Sequence, residues 1–260
     1  MCELFGLSSN QPISPVALLS HFRLRGGETA DNPDGWGLAY REDDDFTVHK
    51  GLGPAAHSPT FSAIAEKIHS QLIIGHVRKA NPPTELNLEN THPFQRTCCG
   101  RNWVFAHNGK VPEVIAAQGC CHPQHSHPAG ETDSEYAFCY LLEEIASTIP
   151  NVPPDKMETW FETLMTRSTS IADYGQFNFL MSDGEYLIAY GHDRLHSQQR
   201  LNGAVRSVVI ASAPLTNDAP WEAFTPGELR IYRDGQLVGK WLTPIASPAS
   251  PVALQSSAGV

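Results

Sequence analysis

No stretch of the sequence carries the roughly 18–20 consecutive apolar residues of a membrane-spanning helix. The N-terminus has neither the basic opening nor the apolar core of a secretory leader. Positive charge is scarce: 18 Lys and Arg stand against 28 Asp and Glu, a formal net charge of −10. Together these absences point to a cytoplasmic protein and argue against a nucleic-acid or anionic-membrane partner. Without export, the six cysteines read as thiols rather than disulfides. There is no Cys-x-x-Cys spacing, no internal repeat and no linker that divides the chain. What is present is a globular composition, 41% hydrophobic and 18% charged. At 260 residues such a chain buries most of its apolar surface. We expect one domain over residues 1–242 and a mobile Pro/Ala/Ser tail over 243–260.

The patterning predicts strands and helices in blocks. Cys2 to Ser8 reads as a strand. Ser14-Pro15 starts a helix with Ser as N-cap and Pro at the first position, and Gly26-Gly27 stops it. Gly35 to Tyr40 and Phe46 to Lys50 are strands around an acidic, solvated turn. Ser58-Pro59 opens a second helix, and Gln71 to Arg78 is a strand. Lys79 to Arg101 lacks periodicity and reads as a functional loop. Asn102 to His107 is a strand running into Asn108-Gly109. Thr132-Asp133-Ser134-Glu135 is a capping box opening a helix, and another helix fits Asp155 to Thr169. The period then changes to two. Hairpins form around Asp183-Gly184 and Asp234-Gly235, with a further strand over Val208 to Ala213. The sum is an α+β fold with antiparallel sheets between helices.

Cys2 follows a removable Met1. Trimming would leave one residue carrying both a thiol and a free α-amine. Their ordinary pKa values, about 8.5 and about 7.7–8.0, allow proton exchange at neutral pH, and an N-terminal amine can activate its own side-chain nucleophile. Three polar clusters lie at element ends: Gly75-His76-Val77-Arg78, Ala106-His107-Asn108-Gly109 and Gly130-Glu131-Thr132-Asp133. Each alone admits an ordinary reading: Arg78 as a surface charge, Asn108-Gly109 as a turn, Asp133 as a helix-dipole carboxylate. Together they complete a site. A thiol attacking an amide needs donors where the oxyanion develops, and the Asn108 amide and Gly109 N–H can supply them. Arg78 can grip a substrate carboxylate in a fork, and Asp133 can pair with its ammonium. What remains is an amide side chain delivered to Cys2, as in glutamine or a γ-glutamyl small molecule.

These motifs resemble the class II glutamine amidotransferases of the N-terminal-nucleophile (Ntn) hydrolase superfamily, and in particular standalone bacterial members of the YafJ group. The matches run through Cys2-Glu3-Leu4-Phe5-Gly6, Arg25-Gly26, Asp34-Gly35-Trp36-Gly37, His76-Val77-Arg78, Asn90-Thr91-His92-Pro93, His107-Asn108-Gly109 and Glu131-Thr132-Asp133-Ser134-Glu135. The resemblance implies a four-layer αββα sandwich of two antiparallel sheets between helices, with no cofactor. It implies Cys2 as nucleophile, Asn108 and Gly109 as oxyanion hole, and Arg78 and Asp133 as substrate anchors. His107 stands beside them, and Arg25 takes a supporting role near the nucleophile. The sequence departs from domain-fused relatives at Lys79, where they often carry Trp, and at Asn81-Pro82, where they carry Thr-His. Those positions close the pocket over the substrate.

Two other readings are carried forward. Cys98-Cys99 and Cys120-Cys121, with His122, His125 and His127, could hold zinc, although adjacent cysteines ligate one ion poorly. They could instead be reduced loop thiols or a regulatory disulfide. The chain could also be a non-catalytic adaptor on the same fold. Within the enzyme reading, released ammonia could pass to a separate synthase subunit or simply be lost. The leaving group could also be an amine from a small γ-glutamyl metabolite.

Overall fold

The computed structural model describes residues 1–81, 84–118, 126–148 and 158–243. The readings placed on Pro82, on Cys120, Cys121, His122 and His125, on the start of the Asp155 helix and on the tail beyond Thr243 lie outside the described residues. In chain order the elements are β1 (Glu3–Ile13), α1 (Val16–Leu24), β2 (Gly35–Glu42), β3 (Asp45–Leu52), α2 (Pro59–Lys67), β4 (Ser70–Arg78), β5 (Phe94–Cys98) and β6 (Arg101–Lys110). They continue with α3 (Glu113–Gln118), α4 (Asp133–Thr148), α5 (Glu158–Ala172), β7 (Gln176–Ser182), β8 (Leu187–Gly191), β9 (His196–Asn202), β10 (Val205–Ala211), β11 (Glu222–Ala223), β12 (Glu228–Arg233) and β13 (Gln236–Leu242). No helix among the described residues is long and apolar enough to cross a membrane.

Two antiparallel sheets form. One runs β11-β9-β10-β1-β4-β2-β3 and the other β13-β12-β8-β7-β6-β5. The side chains of a strand alternate between its two faces, and three apolar layers follow from that alternation. On β1, Leu4 faces the second sheet, while Phe5 and Leu7 pack with Leu18, Leu19 and Phe22 of α1. On β4, Leu72 and Ile74 face the second sheet and Ile73 and Val77 face the helices. On β6, Val104 and Ala106 face the first sheet, and Trp103 and Phe105 pack against α4 and α5. Helices therefore cover both outer faces, and the four-layer αββα sandwich expected from the sequence is the observed architecture.

The first strand to be made lies in the middle of its sheet, hydrogen-bonded to β10 on one side and β4 on the other. Cys2 therefore precedes a buried central strand. The same alternation turns Cys2, His76 and Arg78 toward the inter-sheet space from the first sheet, and Asn108 from the second. The apolar inter-sheet layer thus ends in polar side chains at one edge, and the site forms there.

Several local expectations change. The first strand starts at Glu3 and runs to Ile13, past the predicted end at Ser8. Ser14 does not cap α1; Pro15 occupies the N-cap position without a side-chain bond. Ser58 does cap α2, its Oγ accepting from Phe61 N–H at 3.1 Å. The 79–101 segment is not all loop, because Phe94–Cys98 forms β5 and pairs with β6. It is short and partly polar, so period-two patterning is weak in it. Asn108-Gly109 is not a turn: β6 continues through it and pairs with Asn178-Phe177. The capping box is half formed. Thr132 Oγ1 accepts from Glu135 N–H at 3.2 Å, but the Glu135 carboxylate turns to Gly130 N–H at 2.7 Å and to Arg96.

Leu180 is fully buried between the sheets, against Leu4 and Val104 in one cluster. Truncating Leu180→Ala leaves a cavity where the two sheets meet and should cost about 2–5 kcal/mol, read as a lowered urea midpoint at unchanged m-value.

Candidate active site

The Cys2 thiol is held by main chain. Its sulfur accepts from Lys79 N–H at 3.2 Å and lies 3.3 Å from Lys79 O. Burial pushes the thiol up from its ordinary value, while the Lys79 N–H, the N-terminal ammonium and the Arg78 guanidinium oppose that shift. The Lys79 side chain points elsewhere, its Nζ pairing with Asp31 at 2.8 Å. Asp34 Oδ2 fixes the next residue by accepting from Ala80 N–H at 2.7 Å.

Across the sheet gap, Asn108 Nδ2 donates to the Cys2 carbonyl and, at 3.2 Å, to Ser212 Oγ. Ser212 Oγ also accepts from Leu4 N–H at 2.9 Å. One hydroxyl therefore ties β1, the end of β10 and Asn108 together. Behind Asn108, Asn178 Nδ2 donates to the Asn108 carbonyl at 3.1 Å, and its Oδ1 accepts the N–H groups of His192, Asp193 and Arg194. Gly109 has φ +155°, and a Cβ there would sit 1.9 Å from Gln176 O. No side chain fits at that position, and Gly109 itself lines the cavity.

Arg78 is 4% exposed, which rules out the surface-charge reading. Its Nη2 donates to Glu85 O at 3.2 Å, and its Nη1 has no partner among the described residues. Asp133, the first residue of α4, accepts from Val111 N–H at 2.7 Å and from Ser134 N–H at 2.8 Å. Its carboxylate thus joins the helix start to the chain leaving β6. His107 is anchored from both ring nitrogens, Nδ1 to Ser134 Oγ at 2.8 Å and Nε2 to Gln176 O at 3.1 Å. Burial holds it below its ordinary pKa, with Asp133 opposing. A cavity of about 350 Å³ is lined by Cys2, His76, Arg78, His107, Gly109 and Asp133, among others.

Arg25 does not line that cavity. It pairs with Glu3 at 3.8 Å and donates to Pro214 O at 3.1 Å, so it acts on the strand that carries Cys2. Asn108 reaches the site through the Cys2 carbonyl rather than the cavity wall. Among the described residues no group of three or more His, Cys, Asp or Glu gathers to hold a metal. Sequence reasoning missed Ser212 and gave Asn178 no role. A buried Asn inside the aromatic run Phe177 to Phe179 was the available signal for Asn178; Ser212 offered none.

His76 and His92 stack with ring centroids 4.2 Å apart. Neither ring nitrogen of His76 has a partner among the described residues. Burial, reinforced by the nearby Arg78 charge, pulls His76 down to about 3. The unfolded chain titrates near about 6.5, so between these values the unfolded state holds the extra proton and stability rises with pH. The contribution is whole above about 6.5 and is lost as pH falls toward about 3. By pH 5 this one group should cost about 2 kcal/mol. Denaturation series across this range should show the loss in the wild type and a shallower slope in His76→Phe.

With this geometry in place, comparison with known proteins is direct. A sequence model of the class-II glutamine amidotransferases matches residues 1–204 and 198–255. The putative glutamine amidotransferase YafJ of Escherichia coli K12 is 34% identical over 262 residues, covering 92% of this chain and all of that protein. A crystal structure of a predicted glutamine amidotransferase from Pseudomonas aeruginosa superposes with a TM-score of 0.66 at 28% identity, over 92% of this chain and 100% of that one. At greater distance, the gamma-glutamyl-hercynylcysteine sulfoxide hydrolase of Mycobacterium tuberculosis CDC 1551 is 26% identical over 199 residues, 73% of this chain and 71% of that protein. The thiol, the polar inter-sheet edge and these likenesses agree: the chain belongs to the class II glutamine amidotransferases.

Proposed function

We propose that the protein cleaves the γ-amide of glutamine or of a γ-glutamyl compound, with Cys2 as nucleophile. The observation that carries this reading is a thiol lining the same cavity as a nine-tenths-buried arginine with one unpartnered nitrogen. A buried cationic donor without a partner is costly unless an anion completes it. A substrate α-carboxylate fits Arg78 in that role, and Asp133 is the acidic group for the α-ammonium. His107, locked by Ser134, shapes the wall beside them.

Removal of Met1 places an α-amine on the nucleophile itself. That amine takes the thiol proton and the thiolate attacks the γ-carbonyl. Gly109 N–H and one hydrogen of the Asn108 amide, turned from the Cys2 carbonyl, stabilise the oxyanion. The C–N bond then breaks as the protonated amine passes its proton to the leaving nitrogen. Water attacks the resulting γ-glutamyl thioester, releasing glutamate and restoring the thiol. Arg25 supports this from outside the cavity by fixing Glu3, the residue after the nucleophile.

A second reading concerns the leaving group only. The hydrolase relative from Mycobacterium tuberculosis supports an amine-bearing small metabolite in place of ammonia. Lys79 agrees with a pocket built differently from that of domain-fused enzymes, since its side chain leaves the cavity for Asp31.

Cys2→Ala should abolish glutamine and γ-glutamyl amide hydrolysis in a product assay; turnover near wild type would sink the proposal. Asn108→Ala should lower kcat by about 10²–10³-fold with a much smaller change in KM. Intact mass of the active protein should show Met1 absent. A fully active preparation retaining Met1 would remove the amine as base.

A further inference from the structure

Cys98 and Cys99 have no part in the chemistry above. They occupy the tip of the β5–β6 hairpin, where Cys98 pairs with Arg101 and Cys99-Gly100 makes the two-residue turn. Both turn residues have positive φ, +56° at Cys99 and +73° at Gly100. That backbone favours Asn or Asp before Gly, so turn geometry does not account for a cysteine there. Cys98 is 4% exposed, with its sulfur 3.7 Å from Leu142 O of α4. Cys99 is exposed. The two sulfurs nevertheless lie 3.1 Å apart, one anchored in the core and the other open to solvent.

We propose that Cys98 and Cys99 form a chelating dithiol site for a trivalent thiophile of the organoarsenical class. The bite decides between ligands. Two metal–sulfur bonds of about 2.3 Å spanning this gap meet at close to a right angle, which suits a pyramidal trivalent centre. A tetrahedral zinc ion with the same bonds needs its sulfurs about 3.8 Å apart and two more ligands, and no such set gathers among the described residues. A disulfide is disfavoured because adjacent Cα atoms are about 3.8 Å apart, below the roughly 4.4–6.8 Å that disulfides usually span.

The reaction balances without an oxidant. An organoarsenic(III) oxide condenses with both thiols: two As–S bonds form, the bonds to oxygen break, and both thiol protons leave in one water. Arsenic stays trivalent. Burial and the neighbouring Cys99 push the Cys98 thiol up to about 12. That disfavours a free thiolate, so the oxide oxygen accepts the thiol proton as the As–S bond forms. From the hairpin tip to Gly109 is about eight strand residues, on the order of 25 Å. The site is therefore separate from the Cys2 cavity and does not rest on the proposed function.

The probe is phenylarsine oxide added to full-length Cys2→Ala protein, which removes the nucleophile as a competing thiol. Intact mass should show one phenylarsenic group per chain, and peptide mapping should place it on the Cys98-Cys99 peptide. A small dithiol should remove it and a monothiol should not. Cys99→Asn keeps a residue suited to positive φ and should lower affinity by at least about 10²-fold, because the second tether is lost. Should that variant misfold by circular dichroism, Cys120→Ser/Cys121→Ser takes its place and must retain the full adduct. Unchanged affinity in folded Cys99→Asn, an adduct mapping to Cys120-Cys121, or no adduct overturns the proposal.

Discussion

The bond from the Asn108 side chain to the Cys2 carbonyl joins the two sheets at the polar edge where the site forms. It comes from the second sheet and ends on the residue before the first strand of the first. Ser212 shares the same amide hydrogens and also holds Leu4 N–H, so the start of the first strand is tied at Cys2 and again at Leu4. Asn178 fixes Asn108 from behind with a set of backbone contacts that leaves its own amide satisfied. Both amides, Asn108 and Asn178, stand on strands, and the Ser212 hydroxyl follows directly on the end of β10. Strand-borne groups are more rigid than loop-borne ones.

The electrostatics of the cavity are uneven. His76, His92 and His107 are all pulled down by burial, so these rings are neutral near neutral pH. Arg78 keeps its charge in the same region because guanidinium does not give up its proton. The cavity therefore brings neutral rings together with the buried Arg78 cation.

Much of this was legible in the sequence because the period-two hairpins, the Ser58-Pro59 start and the Thr132 cap are local signals. The three polar clusters could be read as one site because each lies at an element end, and the fold does bring Cys2, Arg78, Gly109 and Asp133 to one cavity. What stayed hidden was set by distant pairing. Phe94 to Cys98 is a strand only because β6 lies beside it. Asn108-Gly109 looked like a turn since Asn-Gly is the strongest short hairpin signal, yet pairing with β7 and a left-handed Gly109 keep the strand going. Ser14 failed as a cap because the chain enters α1 from Pro15. Ser212 carried no local mark, as its role exists only where β1, β10 and Asn108 converge.

The thiol of Cys2 meets residue 79 only through that residue's main chain, while the Lys79 side chain reaches out to Asp31. Any residue at 79 other than proline, which has no N–H, can make the same main-chain contact with the sulfur. The side chain at this position can be exchanged with the sulfur left where it is. The main-chain hold on the sulfur and the side chain that leaves residue 79 are thus separable parts of one structure.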